Sequence, residues 1–464
     1  MIRFYSILFG LIWFLFSGAG VASDSIESQR LILHNQQIFV PNDAEPPDYN
    51  FSLVAPKFTE FDDFKISETV SPATFDQRYS DAVVLTNGKF AVVWQDDRDG
   101  YYKIFGQAYD SNGTAVGNNI ELAGRSDGYN SIEPKAVSNG TGGFYLGWRD
   151  QASGMIYLAG YDSNLNQTLE PFIVNDIPTG NYAGPFDLDS YGPQYVAVAY
   201  EDHSLTTDIS LRIFSSAGIP LTAPIKINTD AGSAEHWSPS IVFNHLGGMA
   251  VVWEDYRNGN ADIFFQLVNA NGSLSGGNLG IIEAMYDDSA QYLPQLAYST
   301  RDGYAIAWLD NRGGVQNVYM QRYIPASGLS GGNIKISGTD PDYADWNIGL
   351  DVNSTGDLNM VWSSSNSEGN ILLQRFTTGF ALAGVRDTIS CCQPLIQKTE
   401  PIITIGISGK LISSWTDHRN GHRDIYLQYL NSSGASLLAD DKLVNDDSEG
   451  AHSIDPHLAI LSTS

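Results

Sequence analysis

The chain has 464 residues, room for two to four small domains or one large repeat fold. Lys and Arg total 25 against 53 Asp and Glu, a formal net charge of −28, which argues against DNA or RNA as a partner because a phosphate-backbone binder needs clustered positive charge. Hydrophobic residues at 42% and aromatics at 12% exclude disorder for most of the chain, while 17% charged residues and 45 Gly point to strands and turns over helices.

Residues 1–23 read as a secretory signal, with Arg3, an apolar run over 4–16 and small residues over 17–23 that place cleavage after Ala22 or Ser23. The run is shorter than the roughly 20 residues of a membrane span, and no later stretch is long enough. The expectation is a secreted (extracellular) or periplasmic protein with no stable membrane insertion after cleavage. No Cys follows the run, which argues against a lipid anchor. Residues 24–62 form an N-terminal extension that can contribute to ring closure, and 63–464 form the main domain.

That domain repeats. Trp94, Trp148, Tyr200, Trp253, Trp308, Trp362 and Trp415 are separated by 54, 52, 53, 55, 54 and 53 residues. Each copy reads as four strands rich in Val, Ile, Phe, Tyr and Trp, broken by turns such as DSNG at 110–113, NANG at 269–272 and NSSG at 431–434. The second strand is apolar on both faces: Phe90, Val92 and Trp94 alternate with Ala91 and Val93. A sheet with two dry faces must be sandwiched between neighbours. The expected fold is all-β, a β-propeller of seven four-stranded blades. Strand-like segments at 64–67, 442–444 and 456–461 are surplus to seven copies. They suggest closure by strand exchange or an eighth, composite blade built with residues 30–56.

The repeat consensus is W-x-D-x-R-x-G-x-x-D-I-[YF]-x-Q. Four copies keep an acid–arginine pair: Asp96 with Arg98, Asp255 with Arg257, Asp310 with Arg312, and Asp417 with Arg419. Two keep a later acid, Asp262 and Asp424. Carboxylates at this spacing suit calcium, but the arginine stands where an oxygen ligand would sit. A guanidinium can bridge carboxylates instead, so these residues are expected to pin the loop, with Gly100, Gly259, Gly313 and Gly421 supplying the turn. No cofactor is expected; calcium stays an option at acidic stretches 287–289, 340–345 and 445–450. The motif resembles the repeats of secreted bacterial and archaeal β-propeller proteins, a family distantly similar to Tol-associated and sialidase-type propellers, over residues 64–464. The resemblance implies an architecture more than an activity.

In such a fold the connector entering each innermost strand shares a face with the loop between the second and third strands. These connectors carry aromatics: Tyr79, Tyr182, Trp237, Tyr292 and Trp346. With Glu235 and His236 they are the candidate ligand-binding residues, and Pro185, Pro239 and Pro294 follow closely. Aromatics at an acidic mouth suit sugar stacking. The sialidase Asp box is absent, no HExxH, GxSxG or P-loop is present, and most arginines are used up by the repeat, which leaves Arg78, Arg125, Arg149 and Arg301. No catalytic residue is assigned. The expected function is therefore a monomeric binding module for a carbohydrate, peptide or envelope-protein ligand. The alternative is a glycan-processing hydrolase or lyase using Glu235 and His236. Adjacent Cys391 and Cys392 can form only a strained vicinal disulfide, which closes no long loop. N-x-S/T triplets, among them those at Asn139, Asn271 and Asn431, read as hairpin turns.

Overall fold

In the computed structural model the chain divides into two units, Met1–Thr69 and Val70–Ser464. The structure describes residues 28–33, 36–41 and 75–445, apart from 86–87, 125–126, 177–181, 205, 283–288, 339–344, 354, 366–369, 391–395, 407–408 and 420–421. The leader, the segments at 64–67 and 456–461, Arg125, Cys391, Cys392 and Gly421 lie outside the described residues. In the first unit, Ser28–Leu33 pairs antiparallel with Gln36–Pro41.

The second unit is a ring of seven four-stranded antiparallel sheets, a seven-bladed β-propeller. Each blade is built from four strands consecutive in the chain. Blade 1 comprises Gln77–Val84, Phe90–Asp96, Lys103–Tyr109 and Ala115–Ala123, innermost to outermost. The innermost strands of blades 2 to 7 are Ser131–Ser138, Ala183–Tyr191, His236–Phe243, Gln291–Ser299, Asp345–Val352 and Lys398–Ile405. The segment suspected of being surplus, at 442–444, supplies Lys442–Leu443, the outermost strand of blade 7 itself. No strand is exchanged between blades among the described residues, and no eighth four-stranded sheet forms there. No helix among them is long and apolar enough to cross a membrane.

Seven apolar clusters occupy the seven interfaces between blades. The repeat aromatic of each blade points at the preceding blade: Trp253 packs with Ile209 and Leu211 of blade 3, and Trp94 with Ile425 and Leu427 of blade 7. The second strand of blade 4, Met249–Asp255, is buried at every residue, because both its faces meet a neighbour. The interface between blades 7 and 1 is built like the other six, and this closes the ring. Polar contacts reinforce it: Gln77 N donates to Arg423 O at 2.9 Å, and the Ser80 and Ser414 hydroxyls meet at 2.9 Å. Tyr429 Oη donates to Ser111 O at 2.7 Å.

The triplets read as turns sit in hairpins. Asn139, Asn271 and Asn431 each accept a backbone N–H two residues on, at 2.9, 3.0 and 2.9 Å, so the side chain copies a turn hydrogen bond.

Candidate functional site at the mouth of the central funnel

The repeat motif forms the frame of the mouth. In blade 4 the Trp253 indole donates to Asp255 Oδ2 at 2.8 Å, and Arg257 reaches the same carboxylate through its backbone N (3.0 Å), Nε (2.8 Å) and Nη2 (2.6 Å). The guanidinium also lies over Phe264, 4.2 Å from its centroid, and Phe264 packs at a tilt of 31° against Trp253. Blades 1, 5 and 7 repeat the core of this pattern with Asp96–Arg98, Asp310–Arg312 and Asp417–Arg419. Arg419 bridges two carboxylates, Asp417 and Asp441 (2.7 Å), whereas Arg257 and Arg312 use Asn278 and Asn333 as the second acceptor. The later acids have other partners: Asn258 Nδ2 donates to Asp262, and Asn445 Nδ2 to Asp424. Blade 6 has Ser364 in place of the motif acid, and Trp362 Nε1 donates instead to Asp345 of the innermost strand (3.1 Å). In the acidic stretches considered for calcium, only Ser289, Asp345 and Asn445 are described.

Above this frame each innermost strand slips register once, shortly after it enters the sheet. The slip is a bulge, and in six blades its residue takes a positive φ without being glycine: Tyr79, Glu133, Ser238, Leu293, Asn347 and Glu400. The energetic cost is offset by a fixed partner for the freed N–H. Gln95, Glu201 and Glu254, each directly after the repeat aromatic, accept from Glu133 N, Ser238 N and Leu293 N at 2.9, 2.7 and 2.8 Å. Glu400 accepts from Tyr79 N at 3.0 Å across the closing interface. The variable residue in W-x-D therefore ties blades 1, 3 and 4 to the next, while the bulge residue Glu400 does so for blade 7. Pro185, Pro239 and other bulge prolines line the channel below.

The bulges determine where the candidate aromatics emerge. Trp237, Tyr292 and Trp346 stand one residue before the bulge, Tyr79 is the bulge residue, and Tyr182 precedes the blade 3 strand. Tyr182, Trp346 and Tyr79 are 50%, 48% and 38% exposed; Trp237 and Tyr292 are half-buried. Glu235 is exposed, but its neighbour His236 is sealed. His236 Nδ1 lies 2.8 Å from Thr207 O, and Nε2 lies 3.1 Å from Asp230 and 3.4 Å from Asp255. Burial opposes its protonation, yet Asp255, Thr207 and Asp230 outweigh that and raise its pKa. The structure thus separates the two residues: His236 belongs to the motif frame and Glu235 to the surface.

A corner not evident from the sequence lies beside them. His203 Nε2 is 3.0 Å from Glu201 Oε2, and Nδ1 is 3.3 Å from the Thr207 hydroxyl. Tyr182 stacks on the imidazole, centroids 4.3 Å apart and planes 16° from parallel, and Trp237 meets it edge-on at 5.3 Å. Gly184 makes the corner possible. A Cβ there would lie 2.1 Å from Glu201 Oε2 and 2.7 Å from His203 Nε2. Burial raises the Glu201 pKa against the pull of His203. The sequence signal was present: among the repeats, only YEDHS in blade 3 brings a His next to the motif acid within a copy that has lost its arginine.

The channel beneath the mouth has a volume of about 640 Å³. Asp81, Asp187, Asp189 and Asp351 project from the innermost strands and accept backbone N–H groups of the next blade, Ala136, Ile241, Phe243 and Ile405, at 2.6–3.0 Å. These strand edges have no sheet partner on the channel side, so the carboxylates satisfy donors that would otherwise be orphaned. Burial raises the pKa of Asp81 and Asp351 to about 6 and that of Asp189 to about 7. Lys135 faces Asp81 and partly counters the effect there.

No protein-family model matches the chain, and no curated protein matches it. Its fold aligns with solved structures. One is an ulvan lyase described as a new family of polysaccharide lyase, at a TM-score of 0.53 and 12% identity, covering 79% of this chain and 96% of that one. Another is a puromycin-hydrolysing peptidase of Mycobacterium tuberculosis, at a TM-score of 0.51 and 10% identity, covering 82% of this chain and 55% of that one. The chain spans about half the length of that peptidase. At such identities the likeness is one of fold alone.

Proposed function

We propose that the protein is a secreted or periplasmic carbohydrate-binding propeller whose ligand rests on the aromatic rim of the funnel. The observation that carries this reading is the Tyr182 platform: half exposed and held face-on by His203, whose ring Trp237 meets edge-on. A sugar ring gains most from an aromatic face that is already immobile, because no side-chain entropy is then lost on binding. Trp346 and Tyr79 offer further faces on the same rim. The fold shared with a polysaccharide lyase is in keeping with a carbohydrate ligand. The test is a glycan-array screen of the chain lacking its leader, with and without calcium. Specific binding lost in a Tyr182→Ala, Trp346→Ala double variant supports the reading. Binding unchanged in that variant overturns the rim as the site.

A second reading, a glycan-processing hydrolase or lyase, draws on the Glu201–His203 contact, since an imidazole oriented by a carboxylate is a common acid–base arrangement. On the binding-module reading, glycans that bind are recovered uncleaved. Turnover abolished by His203→Ala with intact folding would favour the enzyme.

A further inference from the structure

Arg78 differs from the other arginines of the mouth. Arg98, Arg257, Arg312 and Arg419 are neutralised by the motif acids, Arg149 by Glu133 at 2.6 Å, and Arg423 by Asp76 at 2.5 Å. Arg78 has neither an ion pair nor a hydrogen bond among the described residues, and its Nε is buried without a partner. It is nonetheless held in place. Its guanidinium carbon lies 5.3 Å from the Tyr79 ring centroid and 5.0 Å from that of Tyr102. Tyr102 is itself fixed by its hydroxyl, which donates to Asp76 Oδ2 at 3.3 Å. The nearby carboxylates are occupied: Glu400 accepts from Tyr79 N and from the Thr416 hydroxyl, and Asp97 from Asp76 N.

From this geometry we infer that Arg78 receives the carboxylate of an acidic sugar, a uronate, whose ring rests on Tyr79. The inference rests on the carbohydrate reading above and specifies the ligand's chemistry. A guanidinium presents paired N–H donors in a plane that matches a carboxylate, and two aromatic walls leave that plane free while limiting its rotation. Glu400 and Asp97 act on Arg78 through space, but neither contacts it, and a partly desolvated guanidinium whose Nε has no acceptor is costly in the unliganded protein; an anionic ligand in direct contact lowers that cost. The net charge of −28 adds a constraint on size. A long polyanion is repelled by the protein as a whole, whereas a short oligosaccharide with few carboxylates meets Arg78 locally. The ligand is therefore a short acidic oligosaccharide.

The test compares trigalacturonate, its methyl ester and a sulfated disaccharide by calorimetric titration of the chain lacking its leader. Methyl esterification removes the charge while leaving the sugar rings in place. The wild type is expected to bind trigalacturonate at least tenfold more tightly than the ester. Arg78→Gln abolishes that preference while the melting temperature of the unliganded protein is kept or raised, since a costly cation is removed, and Arg78→Lys restores part of the preference. A preference for the sulfated sugar that Arg78→Gln removes would reassign the anion from carboxylate to sulfate and overturn the uronate. Equal affinity for acid and ester, or full preference in Arg78→Gln, overturns the inference alone. Binding of no glycan, acidic or neutral, overturns the carbohydrate reading together with it.

Discussion

Asp255 shows how much one side chain carries in this fold. Burial opposes its ionisation, but the approach of His236 and the Arg257 guanidinium outweigh burial and hold its carboxyl well below the usual carboxylate range. It anchors an indole, a backbone N–H and a guanidinium together. Asp255→Asn keeps the shape, leaves Arg257 only the more distant Asp230 carboxylate at 3.7 Å, and should cost on the order of 3–5 kcal/mol. Urea unfolding of the variant measures this, and a loss below 1 kcal/mol would mean the network re-forms around the amide. The Asp–Arg pairing was legible from spacing alone, because the two residues are only two apart. Their second acceptors were not, since Asn278 and Asn333 lie 21 residues on, in outermost strands whose register no local pattern specifies.

Gly184 governs an element. It sits at the bulge of the innermost strand of blade 3, and the Glu201–His203 pair fills the space where its Cβ would be. Gly184→Ala should displace both side chains, cost about 1–3 kcal/mol as an overpacked site, and free Tyr182 from its stack. Proton NMR of His203 reads the change: its ring resonances shift if the contact is broken and stay in place if the backbone absorbs the methyl group. The aromatics of these connectors could be picked out in the sequence, but their orientation could not. Trp237 and His236 are adjacent, yet one opens to the mouth and the other is sealed, because successive strand residues point to opposite faces.

Across the whole molecule, two measurements test the ring. Trp94 packs into the closing interface between blades 7 and 1, and Trp253 into the interface between blades 3 and 4. Trp94→Ala and Trp253→Ala should each cost about 3–5 kcal/mol. A much smaller loss for Trp94→Ala would show that the closing interface is weaker than the others. The channel acids set a pH dependence. Asp81, Asp189 and Asp351 move from an ordinary 3.8 to about 6, 7 and 6 in the folded ring. Between about pH 4 and 7 the folded state keeps protons that the unfolded chain has released, so their contribution to stability is full at the acid end and lost as pH rises. Replacing all three with Asn should flatten this component of the unfolding free energy, and unchanged slopes across that window would refute it.

The 53-residue rhythm of tryptophans, the doubly apolar second strands and the Asp–Arg spacing determined the architecture from the sequence alone. Each is a local pattern repeated often enough to override chance, and a strand apolar on both faces has few folds open to it. The tertiary structure decided the rest. It showed that the seventh blade completes itself and meets the first through the same packing as every other pair. It separated His236 from Glu235, placed Glu201 under His203, brought Asp81, Asp187, Asp189 and Asp351 into one channel, and left Arg78 between two tyrosines without a direct ion pair among the described residues. These pairings join residues far apart in the chain, on faces set by a bulge that shifts the alternation. Their chemistry therefore arises only once the blades close around a common axis.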